Sequence, residues 1–129
     1  MAPLIYLLED DPNLRELLAE VVREELTPEL EPCARMSDLQ AHCATRRPDL
    51  IVADFWGKSH VNLAEAERLE ISALAAIAPL VLVSARVWAL TANPTELGIA
   101  AVLTKPLELE RFIDVLRSAL AATSAVGSA

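Results

Sequence analysis

Five side chains in this 129-residue sequence are of the types that do chemistry, and each stands at the end of an apolar run. Glu9 and Asp10 close "LIYLLEDDPN", Asp54 closes "PDLIVAD", Ser84 closes "PLVLVS", and Lys105 ends "IAAVLTK". The third acid of the first group, Asp11, has an ordinary explanation, since aspartate is a good N-cap and Pro12 suits the first helical position. Glu9 and Asp10 have none. Taken singly, Asp54 reads as a loop carboxylate, Ser84 as a helix cap and Lys105 as a solvated charge. Gathered in one cleft, they become acid, hydroxyl and base facing one another. At ~4 Å and an effective dielectric of about 20, each like-charged pair costs about 4 kcal/mol. A hard divalent cation relieves that repulsion and leaves the groups ionised, and Mg²⁺ suits oxygen ligands. With Lys105 and a Ser84 hydroxyl nearby, such a pocket accepts a phosphoryl group, with Asp54 as nucleophile and an aspartyl phosphate as product.

The elements that would gather them follow from periodicity. Leu14, Leu17, Leu18, Val21, Val22 and Leu26 recur at helical spacing after the first strand. "LEPCA" is a short edge strand because it contains Pro32. "SDLQ" at 37–40 reads as a capping box for a second helix that Pro48 stops, and "NLAE" at 62–65 as another for a helix running to Ile77. Residues 49–54, 79–84 and 99–105 are strands. Pro94 makes the stretch 85–98 short or irregular helix, and an amphipathic helix occupies 107–122 with Leu109, Phe112, Ile113, Leu116 and Leu120 on one face. Five strands alternating with helices predict an α/β fold, a doubly wound five-stranded parallel sheet with helices on both faces. Right-handed crossovers favour the order 2-1-3-4-5, in which ligands bind outside the carboxyl ends of the strands. One domain over 1–122 and a flexible C-terminal tail over 123–129 are expected.

Composition narrows the function. The net charge of −8 opposes a nucleic-acid surface. No apolar run approaches a membrane span and no secretion leader stands at the start, so a cytoplasmic location without membrane contact is expected. Cys33 and Cys43 read as small hydrophobes, not a disulfide, and His42 and His60 lack the companions of a zinc site. A glycine-rich phosphate loop is missing, and Trp56 stands where a dehalogenase-type phosphatase would need a second aspartate.

The set "LLEDDP", "PDLIVAD", "VLVSA" and "LTKP" resembles the receiver domain of two-component response regulators in spacing and order, over residues 3 to about 121. The resemblance implies phosphorylation of Asp54 by the phosphohistidine of a sensor histidine kinase or phosphotransfer protein. It implies Mg²⁺ held by Asp10, Asp54 and the backbone carbonyl of Trp56, with Glu9 acting through a metal-bound water. Lys105 would contact the phosphoryl oxygens, and Ser84 would swing inward to bond them. The chain would be a phosphoacceptor that assists its own phosphorylation and dephosphorylation, not a dedicated enzyme. It would act as a stand-alone receiver, monomeric or weakly dimeric.

The sequence departs from that pattern in its readout. Receivers commonly carry an aromatic residue three before the lysine, where this chain has Val102. Lys58 and Asn62 replace the usual proline and glycine after the phosphoacceptor, and the span from Ser84 to Lys105 is about one residue short and contains Pro94. The expectation is intact phosphorylation chemistry with an altered output switch. The alternative is a protein–protein interaction module that signals without phosphorylation.

Overall fold

The computed structural model describes residues 2–55 and 61–127, the last five by backbone alone. Five strands form one sheet: β1 (Leu4–Leu8), β2 (Glu29–Cys33), β3 (Leu50–Asp54), β4 (Leu80–Ser84) and β5 (Ala101–Thr104). All neighbours are parallel, in the expected order β2-β1-β3-β4-β5. The helices are α1 (Pro12–Leu26), α2 (Met36–Thr45), α3 (Glu65–Ala75), α4 (Pro94–Leu97) and α5 (Leu109–Gly127), with a 3₁₀ turn at Val87–Leu90.

Because strand residues alternate between faces, the sheet builds two cores. Leu4, Tyr6 and Leu8 join Ile51, Ala53, Leu80 and Leu82 under α2 and α3, where Leu39, Ile71 and Leu74 meet them. Ile5, Leu7, Leu50, Val52, Val81 and Val83 face the other way, against Leu18 and Val22 of α1 and Phe112 and Leu116 of α5. Every residue of β1, β3 and β4 is buried, which explains their unbroken apolar runs. The β2 strand lies at an edge, as Pro32 requires. The registers Leu8↔Ala53, Asp54↔Val83 and Ser84↔Thr104 bring the carboxyl ends of the four site-bearing strands level.

Helix starts are less faithful to sequence. Asp11 caps α1 as expected, accepting the backbone N–H of Asn13 at 2.9 Å. The box at 37–40 is not used. Helix α2 begins at Met36 with Arg35 at the cap position and no side-chain cap, and Ser37 lies inside the first turn. Met36 packs against the core, so burial and not capping sets this start. Nor does α3 begin at the box of 62–65. The α3 cap position is Ala64, and Glu67, not Glu65, reaches back to accept the Ala64 N–H at 3.3 Å. That phase turns Glu67, Ile71 and Leu74 inward. Residues 85–98 hold only the four-residue 3₁₀ turn and the four-residue α4, in keeping with Pro94, which sits behind an Asn93 cap. The backbone of α5 stays helical through Gly127, past the boundary expected after Ala122.

Cys33 and Cys43 are both free thiols. Burial pushes the Cys33 thiol up to about 11, as befits a small core residue. Among the described residues, no helix is long and apolar enough to cross a membrane.

Candidate metal and phosphoryl site

At the carboxyl edge of the sheet, the chain leaves β1 at Glu9, and the Glu9 N–H still bonds the Cys33 carbonyl of β2 at 3.0 Å. That last ladder bond holds Glu9 in the interior, 1% exposed, whereas Asp10, one residue on, faces solvent. Glu9 is fully engaged. One oxygen accepts the Lys105 ammonium at 2.9 Å, the other accepts the Asp11 N–H at 3.2 Å, and its carbonyl accepts Arg15 Nη1 at 2.9 Å. Asp54 is the last residue of β3 and is 8% exposed. Its Oδ2 lies 3.2 Å from Lys105 Nζ, close enough for an ion pair, yet no donor is aligned on it for a hydrogen bond. Lys105 follows β5 and is fixed at its backbone by an N–H bond to the Ser84 carbonyl at 3.0 Å. Ser84 ends β4, is buried, and its Oγ accepts the Arg86 N–H at 3.0 Å.

The electrostatics follow from this crowding. Burial, then hydrogen bonding and charge repulsion from Glu9, push the Asp54 carboxyl up to about 7, against the opposing pull of Lys105. For Lys105, burial depresses the ammonium, but its bond to Glu9 and the charges of Asp54 and Glu9 outweigh this, and the net shift is upward. Glu9 and Asp54 thus share the Lys105 ammonium between them.

These residues fit a hard cation. Glu9, Asp10 and Asp54 each offer a carboxylate oxygen, and the three oxygens lie within 4.8 Å of one another. Asp54, whose Oδ2 is ion-paired with Lys105 but has no aligned hydrogen-bond donor, belongs to this group, and burial together with Glu9 raises its carboxyl pKa. Lys105 engages the Glu9 and Asp54 side of this cluster.

The structure thus brings together Glu9, Asp10, Asp54 and Lys105 and sets Ser84 on the adjoining strand end, all five foreseen from sequence. Trp56, expected to lend its carbonyl to the metal, lies outside the described residues, as do Lys58 and His60. Val102 is half-buried against the core cluster that contains Phe55 and Trp88, whose rings meet edge to face with centroids 6.3 Å apart. Sequence reasoning missed Arg15, which pins the Glu9 carbonyl from the first turns of α1; no spacing signal marks it. It also missed the part of Glu9 as the hydrogen-bond partner of Lys105, since the two are 96 positions apart.

By sequence, no family model matches the chain, and no curated protein does. The fold is more telling. A signal receiver domain of a LuxO repressor protein from Vibrio parahaemolyticus superposes with a TM-score of 0.76 at 17% identity, covering 98% of this chain and 96% of that one. A CheY-like response regulator receiver domain from Methanospirillum hungatei gives 0.75 at 14% identity, covering 97% and 98%. NtrX from Brucella abortus gives 0.76 at 23% identity over 99% of this chain and 28% of its own length. The topology, the level strand ends and these superpositions agree: the chain has the fold of the response regulator receiver domains.

Proposed function

We propose that the chain is a phosphoacceptor receiver of a two-component system, phosphorylated on Asp54 in the presence of Mg²⁺. The observation that carries this reading is Asp54 itself, a buried strand-end carboxylate clustered with two further acids and 3.2 Å from an ammonium. Glu9, Asp10 and Asp54 would hold Mg²⁺, which would supply the positive charge that keeps all three ionised and offsets the phosphoryl oxygens. In the transfer, an ionised Asp54 oxygen attacks the phosphorus of a phosphoimidazole. A P–O bond forms, the P–N bond breaks, and its electron pair leaves with the imidazole nitrogen. Lys105 offsets the charge on the transferred oxygens, and Glu9 holds Lys105 in place for it. The Ser84 hydroxyl, released from the Arg86 N–H, donates to one of those oxygens. The donor is a sensor histidine kinase or phosphotransfer protein of the cytoplasm. The output differs from that of receivers with an aromatic before the lysine, because Val102 has no ring to turn inward.

Incubation with acetyl phosphate and Mg²⁺, followed by intact-mass measurement, tests the reading. One added phosphoryl group is expected, labile to hydroxylamine, absent without Mg²⁺ and absent in Asp54→Asn. Phosphorylation undiminished in Asp54→Asn would overturn the assignment. A wild-type chain that takes up no phosphate would instead support an interaction module working without it.

A further inference from the structure

Asp10 is the exposed member of the acid cluster, yet the backbone on both sides of it is fastened. The Glu9 N–H bonds the Cys33 carbonyl at 3.0 Å, the Glu9 carbonyl accepts Arg15 Nη1 at 2.9 Å, and the Asp11 N–H donates to the Glu9 carboxylate at 3.2 Å. Those three bonds hold three consecutive planar peptide units, and the last two units are the pair that flank Asp10. With both planes held, Asp10 has little freedom in φ and ψ, so the direction of its side chain from the backbone is set before any ligand arrives.

Arg15 supplies the middle bond of the three. Asp11 caps α1, and the Arg15 N–H makes a full helical bond to the Asp11 carbonyl at 2.8 Å. Side chains in an α-helix lean toward its N-terminus, so an arginine at this position reaches back over the turn to the end of β1. The phosphoryl chemistry above gives Arg15 no task. We propose that Arg15 is a positioning residue for the metal: by fixing the Glu9–Asp10 peptide it aims the Asp10 carboxylate at the point where oxygens of Glu9 and Asp54 converge. The inference rests on the Mg²⁺ reading of the site. A guanidinium is an odd neighbour for a cation site, because its charge by itself repels Mg²⁺. Its effect through charge and its effect through position therefore have opposite signs. A carboxylate held in place beforehand loses less freedom when it takes the ion. Support of this kind behind a ligand is worth about 10–100-fold in metal affinity.

Arg15→Met removes the donor and the charge and keeps a good helix former. Titration of the full chain with MgCl₂, read from the amide shifts of residues 8–11 and 54, is expected to show binding about tenfold weaker than in the wild type. Arg117→Met is the control; it removes the same charge from an exposed ion pair with Glu25 and should leave the affinity unchanged. In metal-free Arg15→Met the amides of Asp10 and Asp11 should also lose order on the ps–ns timescale, with order parameters falling from about 0.85 toward 0.6. Equal or tighter Mg²⁺ binding in Arg15→Met would overturn the proposal, since the bond would then only satisfy a carbonyl. So would a loss matched by Arg117→Met, or a loss with the order at Asp10 and Asp11 unchanged. Should Arg15→Met fail to fold, Arg15→Ala makes the same comparison. A wild type that binds no Mg²⁺ would overturn the metal reading and this inference with it. Wild-type binding that survives unaltered in Arg15→Met would remove this inference alone.

Discussion

Glu9 and Asp54 are both buried acids beside the same ammonium, yet their surroundings assign them different work. Glu9 has a donor on each carboxylate oxygen and acts as a fixed counter-charge for Lys105. Asp54 keeps an oxygen without an aligned donor, and its carboxyl is pushed up to about 7. A group whose pKa is raised on folding holds its proton longer in the native state. Its stabilising contribution is complete below the unfolded value near 4 and is lost as pH rises through about 7. The metal-free protein should therefore lose on the order of 2 kcal/mol of stability from this group between roughly pH 5 and 8. Saturating Mg²⁺ should restore it by binding the folded, ionised form. Asp54→Asn should flatten the pH profile and cancel most of the Mg²⁺ gain. Urea titrations at several pH values, with and without Mg²⁺, measure all three. A metal-free profile that rises toward pH 8 would contradict the assigned environment.

Among the elements, the junction of α1 and β2 carries visible strain. The C-cap of helix α1 is Thr27, the one non-glycine residue with positive φ among those described, at 45°. Its N–H closes the helix on the Arg23 carbonyl at 3.2 Å. A β-branched side chain fits poorly in that left-handed region, and the following Pro28 further restricts the backbone. Thr27→Gly should therefore stabilise the protein by about 1 kcal/mol, the relief of a left-handed L-residue less the extra freedom glycine gives the unfolded chain. Thermal unfolding would show it as a higher midpoint, and a fall would mean that the threonine side chain earns its place by packing. Neither α2 nor α3 begins where its sequence suggests, since tertiary packing of Met36 and of the Glu67, Ile71 and Leu74 face outweighs a cap. A cap is worth about 1 kcal/mol, less than burying one large apolar side chain at about 1.5–3 kcal/mol.

For the molecule as a whole, the question is how an event at Asp54 travels. Phe55, next in the chain, meets the Trp88 ring, and both share a core cluster against which Val102 packs. Ser84 holds the Arg86 N–H, which leads directly into the 3₁₀ turn that carries Trp88. If Asp54 is phosphorylated as proposed, drawing the Ser84 hydroxyl toward the phosphoryl group would break that bond and loosen the turn. Val102 is stiff about χ1 and has no polar tip, so it offers little difference between two arrangements. Beryllofluoride, which stands in for the phosphoryl group, should shift amides at 54, 55 and 84–90 strongly. It should shift those at 99–104 and along α5 much less. Two-dimensional amide spectra with and without beryllofluoride check this. Large, uniform shifts through 99–120 would show that the fold transmits the change without an aromatic at Val102. Trp88→Ala would then identify the route.

The alternation of buried strands and helices, the parallel five-stranded sheet and its order are all legible in the sequence. They are so because strands covered on both faces must be continuous apolar runs, and the crossovers between them have one hand. Four strand-end groups in the site are legible too, since the end of each apolar run marks where a strand reaches solvent and Glu9, Asp54, Ser84 and Lys105 stand there. Asp11 and Pro12 set the start of α1 because a cap is local chemistry. Which acid is buried and which is exposed follows from the packed structure. It alone showed that Lys105 bridges Glu9 and Asp54, that Arg15 holds the Glu9 carbonyl, and that Glu67 turns inward beside a cavity. Those facts depend on sheet register and on the phase of each helix against the sheet. Periodicity reports the face of an element that is apolar; the neighbour that face meets is settled when the elements pack.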